Sequence, residues 1–149
     1  MKVLITGGAG YIGSTVASAC EDAGHSVVIL DNFSTGRREF VGDRPLYEGD
    51  IADDELLDRL FSEQQVDAVV HCAAKIIVPE SVAEPLAYYE NNVSKTITLL
   101  AALQRNRAVP VQLLGLHLCA RRELHRHRGL AAATRLPLRA DQVHGGADP

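Results

Sequence analysis

Glycines stand at Gly7, Gly10 and Gly13, with another at Gly8, in the run from Thr6 to Gly13. The run follows a short β-type segment, Lys2 to Ile5, and opens a stretch whose apolar residues recur at helical spacing. The chemistry open to it is anion binding by the main chain. One glycine permits the sharp strand-to-helix turn, one lets the backbone approach a pyrophosphate, and one lets the helix lie close to the strand. The anion then rests on unpaired N–H groups at the positive end of the helix. Gly8-x-Gly10-x-x-Gly13 is the dinucleotide form of this pattern. A purely structural glycine turn is the competing reading, and a second element argues against it. Asp31 ends another apolar run, Val27 to Leu30, 18 residues beyond Gly13. An acid that takes the adenosine ribose hydroxyls is expected at about that distance.

Asp31 also bears on the choice of cofactor. A carboxylate accepts hydrogen bonds from ribose hydroxyls and repels a 2′-phosphate, so NAD is favoured over NADP. The bland reading is an aspartate that only caps the next loop. Arg37 and Arg38 in that loop are the residues that would serve a 2′-phosphate.

The elements needed to position these groups follow from periodicity. Residues 2–6 read as a strand and 11–23 as a helix with Ile12, Val16, Ala17 and Cys20 at helical spacing. Residues 26–31 read as a second strand and 46–48 as a third, leading into Gly49-Asp50-Ile51. Asp53, Asp54 and Glu55 place negative charge at the start of a helix that buries Leu56, Leu57, Leu60 and Phe61. Residues 67–72 read as a fourth strand. A long helix is expected from about Pro85 to Arg105, with an apolar face through Tyr89, Val93, Ile97, Leu100 and Leu103. Residues 111–116 form a candidate fifth strand. Strands alternating with helices imply an α/β fold, a Rossmann-like doubly wound parallel sheet, of which this chain holds the N-terminal part. Such sheets bind ligands at the carboxyl ends of their strands, where Gly8, Asp31, Asp50 and Ala73 all fall.

The 149 residues suffice for one domain. No apolar run reaches the roughly 18 residues of a membrane span, and no cleavable leader is read after Met1 and Lys2. Cys20, Cys72 and Cys119 form no Cys-x-x-Cys pair. Cys20 and Cys72 are expected as small core residues in a reducing cytoplasm. Residues 1–110 carry 16 acids and 9 bases, whereas 111–149 carry 3 acids and 6 bases. A basic, His-containing tail ordinarily suggests an anion or nucleic-acid patch. This one has no aromatic residue for base stacking, so no nucleic-acid partner is expected. His117, Cys119, His125 and His127 have no spacing that closes a tetrahedral metal site, so no metal is expected.

The chain resembles the extended short-chain dehydrogenase/reductase family and, within it, the UDP-glucose 4-epimerases. The resemblance covers residues 1–107. It rests on Thr6 to Gly13, on Leu30 through Gly36, on Gly49-Asp50-Ile51, and above all on Val78 to Val82 followed by Pro85 through Val93. It implies that Tyr11 and Ile12 make turn contacts to NAD alongside Gly7, Gly10 and Gly13. Asp31, Asn32, Phe33, Ser34, Thr35 and Gly36 would form the adenosine ribose pocket. Asp50 would accept from the adenine amino group while Ile51 packs on the ring. Ala73 and Ala74 would line the nicotinamide-ribose side, and Asn91 would reach the cofactor from the long helix. The family's lysine beside the nicotinamide ribose aligns with Ile76, one place after Lys75, which is the nearest candidate here. Taken singly, Asp50 reads equally as a turn former and Asn91 as an exposed helix polar residue. The resemblance further implies a UDP-sugar substrate and a homodimer for the intact enzyme, with no membrane partner. A related nucleotide-sugar dehydratase and a non-catalytic NAD-binding domain are the alternatives.

One part of the family pattern is missing. Such enzymes use a tyrosine whose phenolate is favoured by a lysine four residues later, with Ser or Thr assisting. A tyrosine at its ordinary pKa of about 10 is a poor base at neutral pH. The tyrosines here are Tyr11, Tyr47, Tyr88 and Tyr89 and the lysines Lys2, Lys75 and Lys95, so no Tyr-x-x-x-Lys exists and no catalytic residue is assigned. Residues 111–149 also lack Ile, Phe, Tyr, Ser, Asn and Lys altogether. Codons for Val111 through Gly115 exist that, shifted by one base, read Phe-Ser-Ser-Ser-Ala. In the same shifted frame Pro137 through Gln142 can read Pro-Tyr-Gly-Arg-Thr-Lys. The two motifs share one frame, in order, so residues 108–149 are expected to be an out-of-frame tail of poor order and the chain inactive as it stands.

Overall fold

The computed structural model describes residues 1–113. Five strands, β1 (Lys2–Thr6), β2 (Ser26–Asp31), β3 (Leu46–Glu48), β4 (Ala68–His71) and β5 (Val109–Leu113), form one sheet in the order β3-β2-β1-β4-β5. Every pairing is parallel. The helices are α1 (Tyr11–Asp22), α2 (Asp54–Gln64), α3 (Val78–Ala83), α4 (Pro85–Tyr89) and α5 (Lys95–Arg105). Parallel neighbours require crossovers, and these put helices on both faces of the sheet. The doubly wound reading is therefore the observed fold. The strand expected at 111–116 is observed at Val109–Leu113, and residues 114 to 149, with His117, Cys119, His125 and His127, lie outside the described residues.

The strand sequences explain their burial on both sides. Val3, Leu4 and Ile5 of β1 and Val28, Ile29 and Leu30 of β2 are almost without exposure. Alternate side chains feed two core layers. Leu4, Val28, Leu30 and Val69 meet Leu57, Leu60 and Leu99 on one face, while Val3, Ile5, Val27 and Ile29 meet Ala9 and Ala17 on the other. In α2 the expected residues Leu56, Leu57, Leu60 and Phe61 are the buried ones. Each such side chain contributes roughly 1.5–3 kcal/mol on burial. Asp53 starts that helix by accepting the Leu56 amide proton at 3.0 Å, an N-cap of the ordinary kind. Gln65 ends it in a left-handed conformation, with φ of 49°.

The long helix departs from expectation in its inner face. The chain is helical from Pro85 to Arg105, but a π turn at Glu90–Ser94 separates α4 from α5. The buried residues are Tyr88, Thr96, Leu99, Ala102 and Leu103. Tyr89, Val93 and Ile97, expected inside, are exposed. The wide turn changes the helical phase, and the true inner face carries polar residues that conceal it in the sequence. Asn92 donates to the Lys75 carbonyl and accepts from the Lys75 amide. Thr96 donates to the Asn92 carbonyl and meets His71 Nε2 at 3.2 Å.

His71, at the end of β4, is 3% exposed. Its Nδ1 lies 2.6 Å from the Thr6 hydroxyl. Because the Thr96 hydroxyl donates elsewhere, the network is satisfied by a neutral ring with Nε2–H donating to Thr96 and Nδ1 accepting from Thr6. Burial pushes the His71 pKa down to about 4, against about 6.5 in an unfolded chain. Between those values the unfolded state binds more protons, so the contribution is complete above pH 6.5 and is lost as pH falls towards 4. Stability should drop by up to about 3 kcal/mol across that window. Urea unfolding at pH 7 and pH 4.5 checks this, with His71→Asn as reference. Parallel losses in both proteins would mean that another group titrates.

Candidate cofactor site

The carboxyl ends of β1, β2, β3 and β4 converge on one edge of the sheet. The strand order reverses between β1 and β4, and a crevice forms outside such a switch point. The glycine turn crosses it. Gly7 has φ of 70°, and a Cβ there would lie 2.7 Å from the Ala73 nitrogen. A side chain at Gly7 therefore meets both a strained backbone and the chain leaving β4. A Cβ on Gly13 would lie 2.2 Å from the Gly7 carbonyl oxygen, so only glycine allows α1 to start this close to the turn. Gly10 precedes α1 in extended conformation, no side chain caps the helix, and no acid lies in its first turn. The positive end of α1 is thus uncompensated, with the Tyr11 and Ile12 side chains exposed beside it.

Asp31 binds this turn to β2. It is 7% exposed. Its Oδ2 accepts the Ala9 amide proton and its Oδ1 that of Phe33, each at 2.8 Å. A carboxylate offers about four acceptor positions, so two remain, one on each oxygen. The following loop is folded on the turn by the Arg37 amide, which donates to the Ala9 carbonyl at 2.9 Å. Asn32 accepts from the Ser34 amide, and Thr35 is exposed. Gly36 packs against Ala9 and Asp31. Arg38 pairs with Glu48 at 2.5 Å and lies over the Phe33 ring.

The other residues singled out in the sequence lie along the same edge. Asp50 Oδ1 accepts the Ala52 amide proton at 2.9 Å, and Oδ2 accepts from Lys95 at 2.5 Å and from Asn32 at 3.4 Å. Partial burial pushes the Asp50 carboxyl up, but the Lys95 ammonium and the Ala52 and Asn32 hydrogen bonds outweigh it and hold it below the usual carboxylate value. Ile51 is 6% exposed and belongs mainly to the core. Ala73 and Ala74 leave β4 half-buried, and Asn91 reaches the Ala73 carbonyl at 3.5 Å. Lys75 pairs with Glu80 at 3.4 Å and lies over the Tyr88 ring. Burial pushes the Cys72 thiol up to about 11, which leaves it protonated and unreactive at neutral pH. Sequence reasoning missed Asn92, Thr96, His71 and Lys95. Adjacent Asn91 and Asn92 are alike in type, and only the phase of the helix tells which one clamps the β4 exit.

Among the described residues no group of His, Cys, Asp and Glu is arranged to hold a metal, and no helix is long and apolar enough to cross a membrane.

Comparison with known proteins gives this edge a context. The model of the NAD dependent epimerase/dehydratase family matches residues 3–120. A UDP-glucose 4-epimerase of Azospirillum brasilense is 54% identical over 105 residues, which is 70% of this chain and 30% of the relative. The chain therefore spans about a third of the length of the curated relatives it matches. Among solved structures, the UDP-glucose 4-epimerase of Brucella ovis in complex with NAD is 41% identical with a TM-score of 0.70, over 72% of this chain and 34% of that one. The enzyme from Stenotrophomonas maltophila with bound NAD and formylated UDP-arabinopyranose is 37% identical with a TM-score of 0.70, over 72% and 34%.

Asp31→Asn tests the tie between turn and strand. The amide nitrogen cannot accept, so either Ala9 or Phe33 loses its partner. The expected cost is about 1–3 kcal/mol of stability, the penalty for a buried donor left unpaired. Urea denaturation measures it, and an unchanged midpoint would show that the carboxylate does not hold the turn.

Proposed function

The chain belongs to the NAD dependent epimerase/dehydratase family, and we propose that it is the NAD-binding portion of a UDP-glucose 4-epimerase. The observation that carries the cofactor reading is the Asp31 carboxylate. It is fixed by two backbone amides and retains one acceptor position on each oxygen, which matches the two hydroxyls of an adenosine ribose. A 2′-phosphate would meet that negative charge, so NAD is preferred to NADP.

NAD suits the remaining residues as well. Gly7, Gly10 and Gly13 give a pyrophosphate access to the uncapped start of α1, with Tyr11 and Ile12 at its side. Asn32, Phe33, Ser34, Thr35 and Gly36 wall the ribose, while Asp50 accepts a hydrogen bond from the adenine amino group and Ile51 supports the ring from the core. Ala73, Ala74 and Asn91 border the nicotinamide ribose, and Lys75 reaches that side only by leaving Glu80. When bound in such an enzyme, NAD would supply reversible hydride transfer at C4 of the sugar nucleotide. This chain's own residues bind and orient the cofactor. They hold no group for the acid–base step, because no Tyr-x-x-x-Lys occurs in the 149 residues.

We read residues 108–149 as the product of a frameshift. The intact protein would take a UDP-sugar, pair as a homodimer and reside in the cytoplasm, whereas this chain would be inactive. The absent catalytic pair also favours a second reading, a non-catalytic NAD-binding domain. The nucleotide sequence past codon 107 separates the two, because stops in the shifted frame would end the frameshift reading.

NAD binding by the 149-residue chain should be weaker than about 1 μM. A ligand at a hundred times its dissociation constant adds only about 2.7 kcal/mol of stability, which is little with which to hold part of a sheet. Asp31→Ala should weaken binding about tenfold or more, the scale of hydrogen bonds to a charged group, and Arg37→Ala should weaken it less. Thermal-shift titration reads both. Tighter binding to NADP would overturn the role of Asp31.

Conversion of UDP-galactose to UDP-glucose should be undetectable with this chain and present once the frame is restored. General acid–base catalysis alone supplies about 10²–10⁴-fold, and its residues are missing. Turnover by the short chain would contradict the assignment. Inactivity of the restored protein would favour the dehydratase or the non-catalytic domain.

A further inference from the structure

Lys95, the partner of Asp50, lies outside every motif that the sequence suggested. Lys95 is the first residue of α5, directly after the π turn, and Asp50 follows β3. The pair joins two elements 45 residues apart in the chain. Its side chains are only 26% and 33% exposed, so it is screened less than the fully exposed pairs of the surface. Among the described residues Asp50 is the acceptor that the Lys95 ammonium meets.

The number of acceptor positions on Asp50 defines what remains. Oδ2 carries Lys95 and, more distantly, Asn32, while Oδ1 carries the Ala52 amide. A carboxylate has about two acceptor positions per oxygen. One is left, on Oδ1, which suits a single N–H donor such as an exocyclic amino group. We propose that Lys95 is a positioning residue for base recognition: by fixing Oδ2 it presents Oδ1 to the amino group of the cofactor's purine. This rests on the reading of Asp50 as the adenine-facing acid. Without the ammonium, only the Ala52 amide and the more distant Asn32 side chain hold the carboxylate, and Oδ2 opens to water or to other donors. A purine bearing a carbonyl in place of the amino group then meets a carboxylate free to turn towards its ring N–H instead.

The test is the ratio of affinities for NAD and for its hypoxanthine analogue, in which an oxygen replaces the amino group. It is measured on the 149-residue chain by ligand-observed NMR titration, which tolerates weak binding. Wild type should prefer NAD about tenfold, in keeping with one hydrogen bond to a charged group. Lys95→Ala should reduce the preference to about twofold or less. Lys95→Met, which keeps the apolar length of the side chain, should do the same, and Lys95→Arg should restore most of it. Alanine and methionine are both good helix formers, and far-ultraviolet circular dichroism reports whether each variant folds. A merely structural strut would change both affinities together and leave the ratio alone. An unchanged tenfold preference in Lys95→Ala or Lys95→Met overturns the role of Lys95 while leaving that of Asp50 intact. Equal affinity of wild type for both dinucleotides, or binding of neither, overturns the reading of Asp50 and the proposal with it.

Discussion

The site depends on one carboxylate. Asp31 ends β2 with almost no exposure, a costly place for a charge unless it is hydrogen-bonded. Two backbone amides meet that cost, and they come from opposite directions. Ala9 belongs to the turn after β1 and Phe33 to the loop after β2. The same contact therefore shapes the glycine turn, fixes the loop after β2 and leaves one acceptor position on each oxygen. Gly7 and Gly13 are required because this turn runs so close to Ala73 and to the start of α1. A larger residue at either position would push the turn away from Asp31.

The other half of the edge is organised from beneath by polar contacts. His71 ends β4 between Thr6 of β1 and Thr96 of α5. One turn earlier in the helical path, Asn92 grips the backbone of Lys75 at both its amide and its carbonyl. The first turn of α5 also sends Lys95 to Asp50 after β3. One short helical stretch thus positions the exits of two strands on either side of the switch point. The π turn at Glu90–Ser94 supplies the phase that makes all three contacts reachable. It also leaves Leu86, Tyr89, Val93 and Ile97 exposed as an apolar stripe.

Strands and the glycine turn were legible in the sequence because their signals are local. Continuous apolar runs mark β1, β2 and β4, and the spacing of Gly7, Gly10 and Gly13 marks the turn. In α2 the buried set could be named residue by residue, since charged residues occupy the opposite face. The inner face of the long helix could be named only towards its end, where Leu103 is buried and Leu100 packs against the core. Tyr89, Val93 and Ile97 form a continuous apolar series, whereas the face that packs holds Asn92 and Thr96. These polar side chains turn inward only because the backbone of Lys75, beyond the end of β4, and the ring of His71 await them, and such partners are far away in the chain. Lys95 was hidden for the same reason. A lysine at a helix start looks like a solvated charge until the fold brings Asp50 to it.

Amide chemical-shift mapping of the chain during NAD titration tests the central claim most directly. The account predicts that the largest changes fall on Ala9, Gly10 and Tyr11 in the turn, Asn32 to Gly36 in the ribose loop, and Asp50 to Ala52 after β3. All lie at the carboxyl ends of the strands. Changes concentrated at the other end of the sheet, around Ser26, Asp43 and Arg44, or no changes at millimolar NAD, would contradict it.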